Sequence, residues 1–154
     1  MTPAIDQLKA LGINHNLHEY VHDAGAASYG LEAAEKLGVV PARVFKTLVV
    51  DAGNNTLVVA VLPVNQQLNL KRMAKAVGAK KVAMANPAAV SRSSGYVLGG
   101  VSPLGQKRPL VTVIDESALV HSSIFVSGGQ RGLEIELTAG DLANVTKATF
   151  GVVT

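Results

Sequence analysis

The chain has 154 residues, of which 48% are hydrophobic and 16% are charged, and its net charge at pH 7 is +3. This composition excludes a disordered protein, and the length predicts one domain over residues 1–154. No apolar run approaches the roughly 18 residues of a membrane span, and a signal peptide pattern is missing, so we expect a cytoplasmic protein without membrane contact. The absence of cysteine excludes disulfides, thiolate metal sites and a thiol nucleophile of the protein.

Capping residues locate the predicted helices. Thr2 followed by Pro3 predicts the N-cap and first turn of a helix that ends at Gly12. The same reasoning predicts further helices over residues 31–37 and 69–78, and helices that begin at residues 86 and 138.

Alternating or β-branched segments predict strands over residues 14–21, 44–50, 56–62, 81–84, 96–98, 110–114, 124–127, 133–137 and 150–153. The turn at residues 51–55 joins two of these strands into a hairpin. In residues 133–137 apolar and acidic residues alternate, which predicts one buried face and one solvated face. Helices and strands follow one another irregularly, so we predict an α+β fold with a compact, mixed, barrel-like sheet surrounded by helices.

A glycine-rich segment, GYVLGGVSPLGQK, occupies residues 95–107. Gly99 and Gly100 break the strand geometry, and Pro103 pushes Ser102 toward an extended conformation. A stiff loop of this kind with outward backbone amides suits a polarised carbonyl or a phosphate oxygen. The residues alone leave a simple tight turn as the alternative.

Lys46 interrupts a predicted apolar strand, where Val44, Leu48 and Val50 are its neighbours on the same face. Burial of an unpaired ammonium is costly, so the head group must reach solvent, a partner or a ligand. Lys46 is therefore either a lysine that snorkels from an edge strand or the cationic floor of a pocket.

Three histidines, His15, His18 and His22, have metal-ligand spacing only on a helix, and their segment predicts a strand. No acidic residue there completes a ligand set, so we expect ordinary histidines and no metal site. Tyr20 shares a strand face with His18 and His22, and a tyrosine can pack its ring while it offers its hydroxyl to a ligand.

Basic residues concentrate in residues 70–81, where Lys71 and Lys75 lie one helical turn apart. Lys107, just past the glycine-rich segment, could extend this surface. Such a run is either a solvated helix face or a contact surface for phosphates. Near the end of the chain, Ser127 precedes a glycine turn that begins at Gly128, and it is either a hydrogen-bonding wall residue or a turn serine.

Four segments together resemble the YbaK family, also called EbsC: residues 45–48 (FKTL), 68–71 (LNLK), 95–107 and 126–129 (VSGG). Members of this family are free-standing aminoacyl-tRNA deacylases related to the insertion editing domain of bacterial prolyl-tRNA synthetases. The resemblance begins near Thr2 and covers nearly the whole chain. It implies a compact mixed α+β barrel that removes cysteine from mischarged Cys-tRNA(Pro), and from Cys-tRNA(Cys), without a cofactor and alongside prolyl-tRNA synthetase.

The resemblance also implies roles for individual residues. Lys46 is the essential side chain, and the backbone amides near Gly100 and Val101 meet the developing oxyanion. Substrate contacts are expected from Tyr20, Gly99, Ser102, Pro103, Ser127 and Gly128, and tRNA contacts from Lys71, Lys75 and Lys107. The implied mechanism needs no nucleophile from the protein, because the substrate's thiol attacks its own ester and leaves as a thiolactone. Two alternatives stay open: Ala-tRNA(Pro) deacylation by an ordered water, and a non-catalytic module that binds tRNA or the synthetase.

Overall fold

The computed structural model describes residues 1–26 and 28–154. Within these residues the helices are α1 (Pro3–Leu11), α2 (Tyr29–Leu37), α3 (Leu70–Val77), α4 (Pro87–Ser94) and α5 (Ala139–Thr146). The strands are β1 (Asn16–Glu19), β2 (Phe45–Asp51), β3 (Leu57–Pro63), β4 (Ala83–Met84), β5 (Thr112–Asp115), β6 (Ile124–Ser127), β7 (Leu133–Leu137) and β8 (Thr149–Gly151). Two short 3₁₀ helices cover Pro41–Arg43 and Glu116–Val120.

The strands form two sheets. The smaller sheet is antiparallel with the order β1-β7-β6, and the larger sheet has the order β4-β2-β3-β5-β8. In the larger sheet β2 and β3 form the predicted antiparallel hairpin, whereas β5 runs parallel to both β3 and β8. A bridge between Val44 and Phe125 links the two sheets. The α+β class is confirmed, and the predicted barrel-like sheet consists of two sheets that this bridge connects.

Three apolar clusters hold these layers together. The main core joins side chains from both sheets to α1, α4 and α5. Helix α3 covers the other face of the larger sheet, where Met73 and Ala74 pack against β2 and β3. Helix α2 covers the second face of the smaller sheet, where Ala33 and Ala34 pack with Phe125. Each of the sheets is therefore packed on both faces over part of its area.

The predicted caps are confirmed. Thr2, Asn69 and Thr138 each accept a hydrogen bond from a backbone amide in the first turn of α1, α3 and α5. Gly12 and Gly78 end α1 and α3 in the left-handed conformation that glycine adopts without strain. None of the helices in the described ranges is both long and apolar enough to cross a membrane.

The strand predicted over residues 96–98 is wrong. Gly95 ends α4, and the following residues enter a turn that the Gly100 amide closes by donating to the Val97 carbonyl at 3.0 Å. Tyr96 is buried and its hydroxyl donates to the Leu104 carbonyl at 2.7 Å. The apolar run therefore anchors a loop and does not join a sheet.

Candidate active site

A cavity of about 320 Å³ lies where β2, the start of α2, the glycine-rich loop and the β6–β7 turn meet. Its volume is at the lower end of the range for small-molecule pockets. It is lined by Tyr20, Ser28, Tyr29, Gly30, Phe45, Lys46, Thr47, Leu48, Leu98, Gly99, Val101, Ser127, Gln130 and Glu134.

Five of the predicted site residues meet in this cavity: Lys46, Tyr20, Gly99, Val101 and Ser127. They come from strands and loops that are far apart in the sequence, and only the fold brings them together. The convergence favours a functional site over the alternatives of a snorkelling lysine, a simple glycine turn and a turn serine.

Lys46 is half-buried on β2, directly opposite Leu62 of β3. Burial lowers the pKa of its ammonium, because a low-dielectric environment disfavours the charged form. Within residues 1–26 and 28–154 it forms no ion pair. Its cationic head group is therefore available to a ligand in the cavity.

The glycine-rich loop packs tightly against the rim of the cavity. Gly99 has a φ of +86°, and a Cβ at this position would come within 2.6 Å of both the Tyr29 ring and Arg131 Nε. The Arg131 guanidinium lies 4.3 Å from the centre of the Tyr29 ring and donates to the Leu98 carbonyl at 3.0 Å. Only glycine allows this approach, so Gly99 fixes Tyr29 and Arg131 beside the cavity.

The two amides that the resemblance assigns to the oxyanion, those of Gly100 and Val101, differ in their hydrogen bonding. The Gly100 amide already donates to the Val97 carbonyl and is not free to meet an oxyanion, and Gly100 does not line the cavity. The Val101 amide makes no hydrogen bond with any residue that the structure describes, and Val101 lines the cavity. Of the two amides expected to meet an oxyanion, that of Val101 is the one without a partner among the described residues, and the oxyanion role itself stays a prediction.

Ser102, Pro103 and Gly128 do not line the cavity, and their substrate contacts stay a prediction. Ser102 is fully buried, and its hydroxyl accepts a hydrogen bond from the amide two residues further on. Pro103 borders a different cavity. The Gly128 amide donates to the Leu133 carbonyl at 2.8 Å, and its own carbonyl accepts from the Thr2 hydroxyl. These residues hold the two glycine loops in place.

Residues of helix α1 also hold the glycine-rich loop in place. The Gly105 amide donates to Oε1 of Gln7 at 2.7 Å, and a Cβ on Gly105 would come within 2.4 Å of the Pro3 backbone. Through Gln7 and Thr2, α1 is thus bonded to the glycine-rich loop and to the β6–β7 turn.

Glu134 lines the cavity, although the alternating pattern of β7 predicted that its side chain faces solvent. It is only 7% exposed, because α2 covers this face of the smaller sheet. Its direct cross-strand neighbours are His18 of β1 and Ser127 of β6. Burial raises the pKa of its carboxyl to about 8. The pattern of residues 133–137 gives no signal for this burial, since the covering helix lies about a hundred residues earlier in the chain.

Thr47 is a second cavity residue that the sequence did not single out. Its hydroxyl oxygen is buried and has no hydrogen-bond partner among the described residues. Buried polar groups are normally paired, so this orphaned hydroxyl costs stability in the free protein; although Thr47 lines the cavity, its hydroxyl oxygen is not exposed there. Its position beside Lys46 in the FKTL segment is the signal that could have identified it.

The histidines take no part in the cavity. His18 Nε2 lies 3.0 Å from Oε1 of Glu136, and His22 Nδ1 lies 2.7 Å from Oε1 of Glu32. Over the described part of the chain, no group of three side chains is arranged to hold a metal ion. The groups that line the cavity therefore include a cation and a carboxyl, and they do not include an imidazole.

The basic residues predicted to contact tRNA lie away from the cavity lining. Lys71 and Lys75 are exposed on α3, whose apolar side packs against the larger sheet. Lys107 is also exposed, and its backbone amide donates to the Ser94 carbonyl at 3.0 Å. Their contact with tRNA stays a prediction.

Residues 24–145 match the family model of the aminoacyl-tRNA editing domain. EbsC of Enterococcus faecalis, provisionally named a Cys-tRNA(Pro)/Cys-tRNA(Cys) deacylase, is 43% identical over 121 residues, which cover 79% of this chain and 74% of that protein. A proline–tRNA ligase of Thermosipho melanesiensis is 27% identical over 100 residues, which cover 65% of this chain and 17% of the ligase. A crystal structure described provisionally as a trans-editing enzyme for prolyl-tRNA synthetase has the same fold, with a TM-score of 0.85, 23% identity and coverage of 100% of this chain and 98% of that chain. Both the matched range and the identity to EbsC establish that the chain belongs to the aminoacyl-tRNA editing domain family.

Proposed function

We propose that this protein is a cytoplasmic trans-editing deacylase that removes cysteine from Cys-tRNA(Pro), and also from Cys-tRNA(Cys). Membership of the editing family and the identity to EbsC support the reaction class and the amino acid. The observation that carries the proposal is the set of groups that line the cavity. It combines the unpaired cation of Lys46 with the unbonded amide of Val101, and its described lining contains no imidazole and no thiol.

A nucleophilic hydroxyl needs a base within hydrogen-bond reach. The Ser127 hydroxyl instead accepts a hydrogen bond from the Gly129 amide at 3.1 Å, and none of the cavity residues that the structure describes is a histidine. The chain also lacks cysteine. These features favour a nucleophile that arrives with the substrate, and the cysteinyl group carries one in its thiol.

In the proposed reaction the substrate sulfur attacks the carbonyl carbon of its own ester. A sulfur–carbon bond forms, the ester carbon–oxygen bond breaks, and the thiol proton ends on the released ribose oxygen. The products are a cyclic thiolactone and free tRNA. The protein contributes by holding the substrate in the conformation in which sulfur and carbonyl are close, which is the largest advantage of an intramolecular attack.

Lys46 and Val101 would stabilise the charge that develops on the carbonyl oxygen. The loss of one such donor typically costs about 2.7–4 kcal/mol of transition-state stabilisation. The Lys46 ammonium acts as an electrostatic partner of the carbonyl or of the terminal nucleotide, and Tyr20 and Ser127 contact the aminoacyl group or the terminal adenosine. A cavity of about 320 Å³ suits an aminoacyl group and its sugar, so the body of the tRNA remains outside.

Prolyl-tRNA synthetase is the proposed source of tRNA selectivity, because a cavity of this size reads only the end of the tRNA. The similarity of a proline–tRNA ligase to 65% of this chain supports a relation between the two activities. Lys71, Lys75 and Lys107 would then supply contacts to phosphates without sequence preference.

A deacylation panel tests the proposal. Purified protein is incubated with Cys-, Ser- and Ala-tRNA(Pro), with and without prolyl-tRNA synthetase, and the released amino acid derivative is identified. We expect rapid release of thiolactone from Cys-tRNA(Pro), and slow cleavage of Ser-tRNA(Pro), in which oxygen replaces sulfur. Equal rates for both would exclude thiol attack. Faster cleavage of Ala-tRNA(Pro) would indicate a water nucleophile, and binding without any turnover would indicate a non-catalytic module.

A further inference from the structure

Glu134 is the one acidic residue among those described that line the cavity. Within residues 1–26 and 28–154 its carboxyl forms no ion pair. The same cavity is lined by Lys46 and Val101, whose ammonium and backbone amide are the proposed partners of the substrate carbonyl. A buried carboxyl that faces a cavity without a charge partner is costly to keep, so it has a use in the bound state.

Every aminoacyl ester carries an amino group on the carbon next to its carbonyl. If the carbonyl lies beside Lys46 and Val101, the amino group must enter the same water-poor cavity. Burial of an ammonium is costly unless an opposite charge or a hydrogen-bond acceptor meets it. Among the described side chains of the cavity, only Glu134 offers a carboxylate.

We propose that Glu134 binds the α-amino group of the aminoacyl ester and thereby positions the ester carbonyl. This assignment rests on the proposed deacylase function and extends it to recognition of the substrate. It makes the cavity selective for a free α-amino group over an acylated one, whatever the side chain of the amino acid.

The proton balance of this contact is simple. Burial raises the pKa of the free Glu134 carboxyl to about 8, so it is largely protonated at neutral pH. An amine that arrives uncharged takes this proton: the carboxyl O–H bond breaks, an N–H bond forms, and a carboxylate–ammonium pair results. No net charge enters the cavity in this step, which keeps the desolvation cost low.

Glu136 provides a matched control, because it lies on the same strand and the same face two residues further on. It does not line the cavity. Its carboxylate accepts from the Ser123 hydroxyl and lies 3.0 Å from His18 Nε2 and 3.4 Å from Arg43 Nη2. The Ser123 hydrogen bond is the main cause of its lowered pKa. Glu136 is therefore a carboxylate whose partners are already present in the free protein.

The test is a binding measurement with a stable analogue in which an amide replaces the ester of 3′-cysteinyl adenosine. Calorimetry compares this analogue with its N-acetyl derivative on the wild type, Glu134→Gln and Glu136→Gln. We expect the wild type and Glu136→Gln to prefer the free amine by about tenfold to a hundredfold, and Glu134→Gln to lose this preference. An unchanged preference in Glu134→Gln, or no preference in the wild type, would overturn the proposal. If Glu134→Gln does not fold, Glu134→Met serves the same comparison.

Turnover of Cys-tRNA(Pro) by the wild type separates this proposal from the proposed function. If the wild type prefers the free amine of the analogue and Glu134→Gln loses this preference, but the wild type does not deacylate, the function is refuted and the role of Glu134 is supported. A protein that deacylates Cys-tRNA(Pro) and N-acetyl-Cys-tRNA(Pro) at equal rates would support the function and refute the role of Glu134.

Discussion

Ser127 of β6 and Glu134 of β7 are direct cross-strand partners, at the end of the strand pair where the glycine turn begins. Side chains in such a pair lie side by side on the same face of the sheet. A hydroxyl and a carboxyl thus form one wall of the cavity, while β2 supplies Lys46 and Thr47 to the same space.

Replacement of Lys46 by methionine should lower the single-turnover rate of Cys-tRNA(Pro) deacylation by at least about a hundredfold, because one partner of the developing charge is removed. Thermal stability should be unchanged or higher, since a half-buried ammonium that has no ion pair among the described residues is lost. Lys9→Met, at an exposed position of α1, is the control and should alter neither quantity. An unchanged rate in Lys46→Met would refute the proposed site.

Replacement of Thr47 by valine keeps the shape of the side chain and removes its hydroxyl. The free protein should be as stable as the wild type or more so, because this hydroxyl has no partner among the described residues. Because the hydroxyl oxygen is buried and not exposed to the cavity, affinity for the amide analogue should change by less than about twofold. Melting curves and titration with the amide analogue measure the two effects. A clear loss of stability would reveal an internal partner of the hydroxyl, and a large loss of affinity would show that the hydroxyl reaches the substrate.

The stability of the folded protein should depend on Glu134 between pH 4.5 and 8. Burial raises the carboxyl pKa from 4.5 to about 8, so the folded state holds a proton there that the unfolded chain releases. The resulting stabilisation is fully present below pH 4.5 and is lost as the pH rises through 8, with a slope of at most about 1.4 kcal/mol per pH unit. Urea denaturation across this range should show the slope in the wild type and in Glu136→Gln. Glu134→Gln should lack it, and an identical slope there would show that the carboxyl titrates normally.

Gly99 should not tolerate a side chain. Gly99→Ala places a Cβ within 2.6 Å of Tyr29 and Arg131 at a φ of +86°, so we expect a loss of about 1–3 kcal/mol in stability and slower deacylation. Gly140→Ala is the control, since no atom lies within 4 Å of its added Cβ on α5. It should stabilise the helix by about 0.5–1 kcal/mol and leave activity unchanged. Full activity in Gly99→Ala would show that the packing of Tyr29 against the loop is dispensable.

Lys71 and Lys75 should influence binding of whole tRNA and not of its end. If both contact phosphates, Lys71→Ala with Lys75→Ala should reduce the slope of log affinity against log salt by about 2. Binding of the small adenosine analogue should stay the same, because neither residue lines the cavity. Filter binding at several salt concentrations measures the slope, and an unchanged slope would identify α3 as a solvated helix.

The sequence predicted best what depends on neighbours in the chain. Thr2 and Gly12 bound α1 as expected, because a cap bonds to amides or carbonyls within one turn. The hairpin of β2 and β3 also follows from local turn chemistry. For the site, the FKTL segment and the glycine-rich loop were enough to bring Lys46, Gly99 and Val101 into one hypothesis through their family resemblance.

Features that depend on distant segments were missed. Glu134 is buried because α2 covers a sheet face that the alternating pattern assigns to solvent. This burial has no signature within a few residues, because the fold brings the covering helix from far away in the chain. A local feature was missed as well: the Gly100 amide donates to the Val97 carbonyl, because the apolar run before it forms a turn and not the predicted strand.

The hydrogen bonds from α1 to the two glycine loops set a minimum length for a segment of this chain that could be grafted into another protein with its cavity intact. Thr2 bonds to Gly128 and Gln7 to Gly105, whereas the editing signature begins only at residue 24. A chimaera that contained residues 24–145 alone would lack Tyr20 from the cavity lining, and it would lack the hydrogen bonds by which Thr2 and Gln7 attach to the glycine loops. The shortest segment that keeps the cavity intact therefore begins before residue 24, where the match to the editing-domain family begins.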